Sequence, residues 1–401
     1  MMEAASSSLE TLSSIEKAAQ PWIEASVPGG DETHEALLEK QYNKMLCRFP
    51  LTAPQHNLDK LTIFEILGES PEMGELLKHI QQHPDLVAVL NNKAAEYTIL
   101  APTDRAFAQL DSSIQGTSEQ TWMAILQHHI SPHPLPMSRL LEMGAIPTLL
   151  RPPELNGDQR LRLRPTTGGM QVNLQTRVTQ SDIMASNGVV HLIDTVLLPP
   201  QSIMTIIANL SNDGNFSLAQ DSLQKTGLAE VIDSTVGGTL FLPSNSAFEK
   251  LGAEANKFLF ETKEGEKHLR ALLKLHYSPG QTLFSNALYM PVSNPEPSPA
   301  KPRELPPPSA SGAAHLYRLR KGTKSFGLST ALAGHGLQVS ISRYGGIIDM
   351  MANKWTPVTT QDFIASNGVV HLVSGVLLPV DEREAVDVDV TTLKAMFKDS
   401  L

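Results

Sequence analysis

The stretch Ala-Ser-Asn-Gly-Val-Val-His-Leu occurs twice in this chain, at Ala185–Leu192 and again at Ala365–Leu372. Eight identical residues in a row do not recur by chance. Each copy continues into an apolar run that ends in Leu-Leu-Pro, at Leu197–Pro199 and Leu377–Pro379. Self-similarity at this scale is the signature of a repeated structural unit. The sequence therefore predicts that the chain contains the same domain twice.

The composition is that of a globular protein and disfavours several functions. The chain has 401 residues, of which 41% are hydrophobic and 18% are charged, and its net charge is −10. This balance lets each half bury a core. The negative charge disfavours nucleic acid as a partner, because binding it usually needs a basic face. Cys47 is the only cysteine, so the chain cannot form an internal disulfide of the kind that staples many secreted domains.

The sequence also predicts the cellular compartment of the protein. Met1–Gln20 is polar and acidic and lacks the apolar centre of a signal peptide. No run of about 18 apolar residues is present, so no membrane span is predicted. We expect a soluble cytoplasmic protein; the alternative is secretion, or display at the cell surface, by a non-classical route.

Both halves show the same order of predicted elements. Tyr97–Leu100 and Thr239–Leu242 are short β-rich runs. Each is followed by proline and a hydroxyl residue, Thr103 or Ser244, which is a natural helix N-cap. A further helix is predicted later in each half, at Trp122–Ile130 and His268–Tyr277.

The closing part of each half is predicted to be rich in β-strands. Arg160–Arg164 alternates with the period of a strand, and Tyr317–Arg320 is its expected counterpart. Asn187-Gly188 and Asn367-Gly368 each lie between β-prone runs. Asn-Gly favours a two-residue turn, so a tight hairpin is expected there in both halves.

These motifs resemble the fasciclin domain, twice. The first block of that family, a strand followed by a helix, is matched by Thr98–Phe107 and Thr239–Phe248. Its closing block is matched by Asn187–Pro199 and by Asn367–Pro379, with Ser374 where the family has aspartate. Of the central Tyr-His pair of the family, both repeats have the histidine and neither has the tyrosine. His129 and His276 take the histidine place, and His128 and Leu275 take the tyrosine place.

The resemblance implies an α+β fold of two tandem fasciclin-like domains, each a β-sandwich wedge with packed helices. The expected boundaries are an N-terminal extension (1–57), a first domain (58–200), a second domain (201–380) with a proline-rich insertion (291–311), and a C-terminal tail (381–401).

The resemblance implies two alternative functions. Some soluble fungal members of the family look like enzymes of polyketide or terpenoid pathways that close rings without a cofactor. This chain would then bind a small apolar or aromatic metabolite, and it is a candidate cofactor-independent cyclase or isomerase. Most fasciclin domains instead look like adhesion or matrix modules, so the alternative is an interaction protein of the cell surface without enzymatic activity. A homo-oligomer is left open, since the N-terminal segment could bridge subunits.

The residues expected to carry chemistry follow from the resemblance, which implies that a polar residue of the first block lies near the central histidine. A carboxylate beside an imidazole raises its pKa and makes an acid or base that works near neutral pH. The alternative is a buried polar pair that fixes the first block to the central helix. The candidate catalytic residues are Asp104, His129, His276 and Tyr277, and His128 and Asn245 are candidates for ligand binding.

Three arginines on one strand face form a second candidate site. Arg160, Arg162 and Arg164 could hold an anionic or phenolate ligand. The alternative is a charged solvent face or a protected edge strand.

His191 and His371 lie between apolar residues in both repeats, which favours a structural role. No metal site is expected, because the chain has no H-E-x-x-H motif and only one cysteine.

Overall fold

A computed structural model describes residues 60–166, 168–287, 322–344, 347–379, 388–398 and 400. The N-terminal extension (1–57), the proline-rich insertion (291–311) and the expected strand at Tyr317–Arg320 lie outside the described residues. We call the first sheet with its helices domain 1, and the second sheet with its helices domain 2.

Domain 1 begins with three helices that lead into the first strand. The helices are α1 (Ile63–Glu69), α2 (Gly74–Gln81), α3 (Pro84–Asn91), α4 (Asp104–Ala108), α5 (Ser112–Gln115), α6 (Glu119–His128) and α7 (Met137–Leu140). The strands are β1 (Tyr97–Pro102), β2 (Ile130–Ser131), β3 (Ala145–Pro147), β4 (Arg160–Thr166), β5 (Gly169–Val172), β6 (Thr176–Ala185) and β7 (Gly188–Ile193).

Domain 2 repeats this plan. Its helices are α8 (Ile203–Ser211), α9 (Ser217–Lys225), α10 (Leu228–Ser234), α11 (Asn245–Glu249), α12 (Ala253–Glu261) and α13 (Lys263–Leu275). Its strands are β8 (Gly238–Pro243), β9 (Tyr277–Pro279), β10 (Gly322–Ser329), β11 (Gly336–Tyr344), β12 (Ile347–Ala352), β13 (Thr356–Ala365) and β14 (Gly368–Val373). In the C-terminal tail, α14 (Val390–Met396) packs Leu393 against the core of this domain.

The two sheets have the same topology. The strand order is β2-β1-β7-β6-β5-β4-β3 in domain 1 and β10-β11-β12-β13-β14-β8-β9 in domain 2, which is the same order read from the other edge. In each sheet the first-block strand pairs in parallel with the closing strand, β1 with β7 and β8 with β14. The predicted α+β fold with two tandem domains is therefore confirmed.

The predicted closing hairpins are present, but their turn residues differ from the prediction. Ala185 pairs with Gly188, so the two turn residues are Ser186 and Asn187 rather than Asn-Gly. Gly188 instead opens β7 with φ 146, and a Cβ atom there would collide with the backbone of Tyr97. Glycine is required at this position because the parallel neighbour strand passes too close for any side chain.

The asparagine of each hairpin fixes the helices that lead into its domain. Asn187 Oδ1 accepts a hydrogen bond from the Ile63 amide at 2.8 Å, and its Nδ2 donates to the Leu90 carbonyl at 2.8 Å. Asn367 Oδ1 accepts from the Ile203 amide at 2.9 Å, and its Nδ2 donates to the Ile232 carbonyl at 3.0 Å. Each Nδ2 also donates to a second carbonyl, that of Asn92 or Asp233, so a buried amide with three backbone partners explains why this residue occurs in both repeats.

The two domains contact each other through specific hydrogen bonds. Asn286 Nδ2 donates to the Ala145 carbonyl at 2.8 Å, and Arg343 Nη1 donates to the Glu142 carbonyl at 3.0 Å. In the other direction, Gln159 Nε2 donates to the Ala365 carbonyl at 3.1 Å. All three donor residues are buried, so these bonds fix the relative position of the domains.

Candidate functional site

The two central histidines are buried and hydrogen-bonded at both ring nitrogens. His129 Nδ1 lies 2.7 Å from the Ile125 carbonyl, and its Nε2 accepts from the Leu197 amide at 2.9 Å. His276 repeats this pattern with the Leu272 carbonyl and the Leu377 amide, both at 2.9 Å. Each ring therefore carries its proton on Nδ1 and ties the end of a helix to the segment after the closing strand.

Burial controls the protonation of these histidines. It lowers the pKa of both His129 and His276 to about 4, although the hydrogen bond to the helix carbonyl opposes the shift. The expectation of a pKa raised by a neighbouring carboxylate is wrong, because desolvation of the imidazolium dominates. With both nitrogens bonded to the backbone, neither ring has a free position for proton transfer. Their catalytic role stays a prediction that this geometry does not support.

Asp104 and Asn245 cap helices rather than orient the histidines. Asp104 Oδ1 accepts from the Glu75 amide at 2.8 Å, in the first turn of α2. Asn245 Oδ1 accepts from the Leu218 amide at 3.0 Å, in the first turn of α9. Unpaired amides at a helix start are commonly satisfied in this way. The structure thus gives the polar residue of each first block a partner other than the histidine.

His191 and His371 each bind a bulge in the neighbouring strand. The amides of Asp182 and Asp362, both at φ 60, donate to His191 Nδ1 and His371 Nδ1 at 3.2 Å. The Nε2 atom of each ring lies 2.8 Å from a carbonyl, that of Leu135 for His191 and that of Leu283 for His371. The contacts are those expected of structural histidines.

The arginine strand lies at the domain junction. The guanidinium carbon of Arg160 lies 4.7 Å from the ring centroid of Phe284, and that of Arg162 lies 5.1 Å from the ring centroid of Phe363. Both rings belong to domain 2. The expectation of an edge strand is wrong, because β4 lies between β3 and β5. The expectation of a solvent face is wrong for Arg162, which is only 8% exposed. No contact of Arg164 tests its ligand role.

The remaining predicted residues, Tyr277 and His128, are buried in the two cores. Burial raises the pKa of the Tyr277 phenol. Burial lowers the pKa of His128 to about 3, so its imidazole is neutral near pH 7. His128 is 0% exposed. No predicted polar group therefore reaches solvent from either position.

Two histidine pairs have a spacing of four residues, His79 with His83 and His129 with His133. Within the part of the chain that the structure describes, no group of three or more histidine, cysteine or acidic side chains is placed to hold a metal ion, and neither pair belongs to such a group. His79 instead stacks on Trp122, with ring centroids 3.9 Å apart.

A cavity of about 500 Å³ opens between the two domains. We call it the junction cavity. It is lined by Ala124 of α6, the segment from Leu150 to Glu154, Pro199 and Ser202 between the domains, and Asp233, Ser366 and Asn367 of domain 2. Leu150 and Asn367 are buried in its wall, whereas Arg151, Glu154 and Asp233 are exposed at its rim. Both domains are needed to form it.

Several polar groups of the junction cavity already make hydrogen bonds or an ion pair within the protein. Asn367 bonds the start of α8, and Ser202 Oγ accepts from the Thr205 amide at 3.4 Å as the N-cap of that helix. Arg151 Nε lies 2.5 Å from Asp158 Oδ1. The wall is otherwise apolar, with the side chains of Ala124, Leu150, Pro152, Pro153 and Pro199. An apolar wall with a few polar groups is the usual form of a small-molecule site.

The sequence motifs do not predict this cavity. Pro199, Ser366 and Asn367 belong to the repeated closing blocks, but those blocks indicate a hairpin and not a cavity. A cavity between two domains depends on how their surfaces meet, which no local motif encodes.

Comparisons with known proteins agree with this fold. The family model described as the fasciclin domain matches residues 71–199 and 214–298. The aurofusarin biosynthesis cluster protein S of Gibberella zeae is 31% identical over 359 residues, which cover 82% of this chain and 80% of that protein. This chain belongs to the fasciclin domain family.

Other relatives are similar only in part. Rabbit transforming growth factor-beta-induced protein ig-h3 is 32% identical over 41% of this chain, which covers 22% of that protein. Mouse stabilin-2 is 26% identical over 54% of this chain, which covers 8% of its length. A solved pair of fasciclin domains from the insect cell adhesion molecule fasciclin I covers 76% of this chain and 96% of its own, with 19% identity and a TM-score of 0.35. Within the described residues, no helix is long and apolar enough to cross a membrane.

Proposed function

We propose that this protein serves secondary-metabolite biosynthesis by holding a small apolar or aromatic molecule in the junction cavity. The observation that carries the proposal is the cavity itself, with its volume of about 500 Å³ and its wall of alanine, leucine and proline side chains. Sites for drug-sized ligands typically enclose roughly 300–1,000 Å³ and are mostly apolar. The Gibberella relative, named for a biosynthesis cluster, supports the metabolic setting.

The wall favours a flat aromatic ligand. Pro152, Pro153 and Pro199 present rigid rings with no free rotation to lose on binding, so little entropy opposes contact with a planar molecule. Arg151 at the rim adds a cation that attracts a π-face or a phenolate oxygen. The cavity therefore suits a molecule with an apolar aromatic body and a polar edge.

Cyclisation or isomerisation of the bound molecule is the finer proposal. His129 and His276 lack a free nitrogen, so the proton donors and acceptors available at the cavity are the rim carboxylates of Glu154 and Asp233. A cavity that holds one conformer can accelerate ring closure by orientation alone, with such a group moving the proton. Neither step needs a cofactor.

Binding is tested with 2-naphthol, whose fluorescence reports its environment. We expect the wild-type protein to bind it and the Ala124→Phe variant to lose binding at least tenfold, because the new ring fills the cavity. Gln120→Phe is the matched control, since Gln120 lies exposed on the same helix. Circular dichroism confirms that each variant is folded. Equal binding by wild type and Ala124→Phe, or none by either, would overturn the proposal and favour the adhesion alternative.

Conversion is tested separately with an extract of secondary metabolites. We expect wild-type protein to yield a product of unchanged mass and shifted retention time in liquid chromatography with mass spectrometry. Glu154→Gln and Asp233→Asn should slow that conversion without preventing binding of 2-naphthol. If the protein retains a small molecule but converts none, the proposed cyclisation or isomerisation is wrong, and the proposed binding function stands.

A further inference from the structure

The charges that line the junction cavity are not balanced. Three of its lining residues are charged, Arg151, Glu154 and Asp233. The guanidinium of Arg151 is already paired, since its Nε lies 2.5 Å from Asp158 Oδ1. The carboxylates of Glu154 and Asp233 have no hydrogen-bond or ion-pair partner among the residues that the structure describes. Two acidic groups are therefore left at the cavity without a balancing cation.

The two carboxylates come from different domains but belong to one rim. Glu154 precedes β4 of domain 1, and Asp233 lies in α10 of domain 2. The Gly237 amide donates to the Glu154 carbonyl at 2.8 Å, which joins the two segments that carry these acids. Asn367 Nδ2, in the cavity wall, donates to the carbonyls of Ile232 and Asp233 at 3.0 and 3.4 Å. These bonds hold both acids at the mouth of the same cavity.

The place of Asp233 on its helix is unfavourable for an acid. Asp233 lies in the last turn of α10, which has no basic residue. The carbonyl groups at a helix C-terminus carry partial negative charge, so they repel a carboxylate and attract a cation. Glu230, exposed three residues earlier on the same helix face, adds a further acidic group. An acid at this place costs stability, and a bound cation would remove that cost.

We propose that the ligand of the junction cavity is an aromatic amine, whose protonated nitrogen pairs with Glu154 and Asp233 while its ring contacts the prolines of the wall. The inference rests on the proposed function and deepens it, because it names the class of ligand. Carboxylates only accept hydrogen bonds, so they select a nitrogen that carries both donors and positive charge. Arg151, whose charge is paired, contributes its planar face to the ring.

The test compares three naphthalenes that differ mainly in the charge of one substituent. Near pH 7, 2-(aminomethyl)naphthalene is positive, 2-naphthalenemethanol is neutral and 2-naphthoic acid is negative. We expect wild-type protein to bind the amine about fivefold more tightly than the alcohol, because each exposed ion pair contributes little, and to bind the acid most weakly. Naphthalene fluorescence measures all three affinities. Added salt should reduce the preference for the amine, since it screens exposed charges.

Variants of the rim assign this preference to its source. Glu154→Gln and Asp233→Asn should each reduce the preference for the amine to about twofold, and the double variant should bind amine and alcohol alike. Glu261→Gln is the matched control, because it removes the same charge from an exposed position of α12 outside the cavity lining. It should keep the fivefold preference. All three positions are exposed, so each variant should fold normally.

The outcomes separate this inference from the proposed function. If wild-type protein binds 2-naphthol but shows no preference for the amine over the alcohol, the amine class is wrong and the cavity proposal stands. A preference that survives in the double variant, or that Glu261→Gln loses equally, would also overturn the inference, since the rim carboxylates would not be its source. Tightest binding of the acid would overturn it in favour of Arg151. Failure of wild-type protein to bind 2-naphthol and all three compounds would overturn both proposals.

Discussion

The guanidinium of Arg162 in domain 1 lies over the ring of Phe363 in domain 2, with its central carbon 5.1 Å from the ring centroid. Arg162 is 8% exposed, and burial lowers its pKa to about 10, while neighbouring Asp362 opposes that shift. It remains charged near pH 7. A buried cation shared between an aromatic ring and an opposite charge holds the two domains together beside the hydrogen bonds of the junction.

Removing this cation should weaken the whole protein. We expect Arg162→Ala to lower the free energy of unfolding by about 2 kcal/mol, since a desolvated cation–π contact and its packing are lost. Urea denaturation followed by circular dichroism measures the change. Arg105→Ala, at an exposed position of α4, serves as the control and should stay within about 0.5 kcal/mol of wild type. Equal stability of the two variants would show that the contact contributes nothing.

The central histidines are expected to act as structural supports in both domains. His129→Ala and His276→Ala should each lower the free energy of unfolding by about 3 kcal/mol, because a cavity forms and the amide of Leu197 or Leu377 loses its acceptor. His335→Ala, in a loop of domain 2, is the matched control. The same denaturation assay applies. If His129→Ala were as stable as the control, the imidazole of His129 would not support the fold, and this prediction would be wrong.

The buried histidines should also make stability depend on pH. The folded pKa values of about 4 for His129 and His276 and about 3 for His128 lie below the unfolded value near 6.5. Below pH 6.5 the unfolded chain therefore binds more protons than the folded one. Stability is full above that pH and falls by about 1.4 kcal/mol per pH unit for each histidine as the pH drops towards the folded pKa.

Denaturation at pH 7.0, 6.0, 5.5 and 5.0 measures this slope. His128→Leu should show a shallower slope than wild type by about one proton, since one of the buried bases is gone. Leu275→Met is the control and should keep the wild-type slope. Stability that does not change between pH 6.0 and pH 5.0 would contradict the assignment of neutral buried imidazoles.

The closing hairpins should not tolerate a side chain after the asparagine. Gly188→Ala places a Cβ against the Tyr97 backbone, and we expect a loss of more than about 3 kcal/mol or failure to fold. Gly116→Ala is the control, because a Cβ there meets only the Ser112 carbonyl at 3.8 Å. Yield of soluble protein and its melting temperature report the result. A Gly188→Ala protein of wild-type stability would contradict the close approach of the strands.

Most of the fold could be predicted from the repeated motifs. The duplicated first block and closing block predict two equal domains, because each motif encodes a local structure: a strand followed by a helix in the first block, and a tight hairpin in the closing block. The turn was predicted one residue late, since Asn-Gly usually forms the turn itself, whereas here Gly188 is needed for a tertiary contact.

The candidate site was less predictable, for a physical reason. The alternation of Arg160, Arg162 and Arg164 reports a strand but not what its face meets, and that face meets aromatic rings about 120 to 200 residues later in the chain. Asp104 and Asn245 were expected beside histidines, yet each accepts a hydrogen bond from the first turn of another helix, and that tertiary contact has no signal in the local sequence. The closing blocks supply Pro199, Ser366 and Asn367 to the junction cavity, but the motif itself does not indicate a cavity.

A crystal structure of the protein soaked with 2-naphthol would show whether the junction cavity binds an aromatic molecule. We expect electron density for the naphthalene ring in the junction cavity, between Ala124 and the prolines, in wild-type crystals and not in Ala124→Phe crystals. Density only at another surface, or the same cavity density in both proteins, would contradict it.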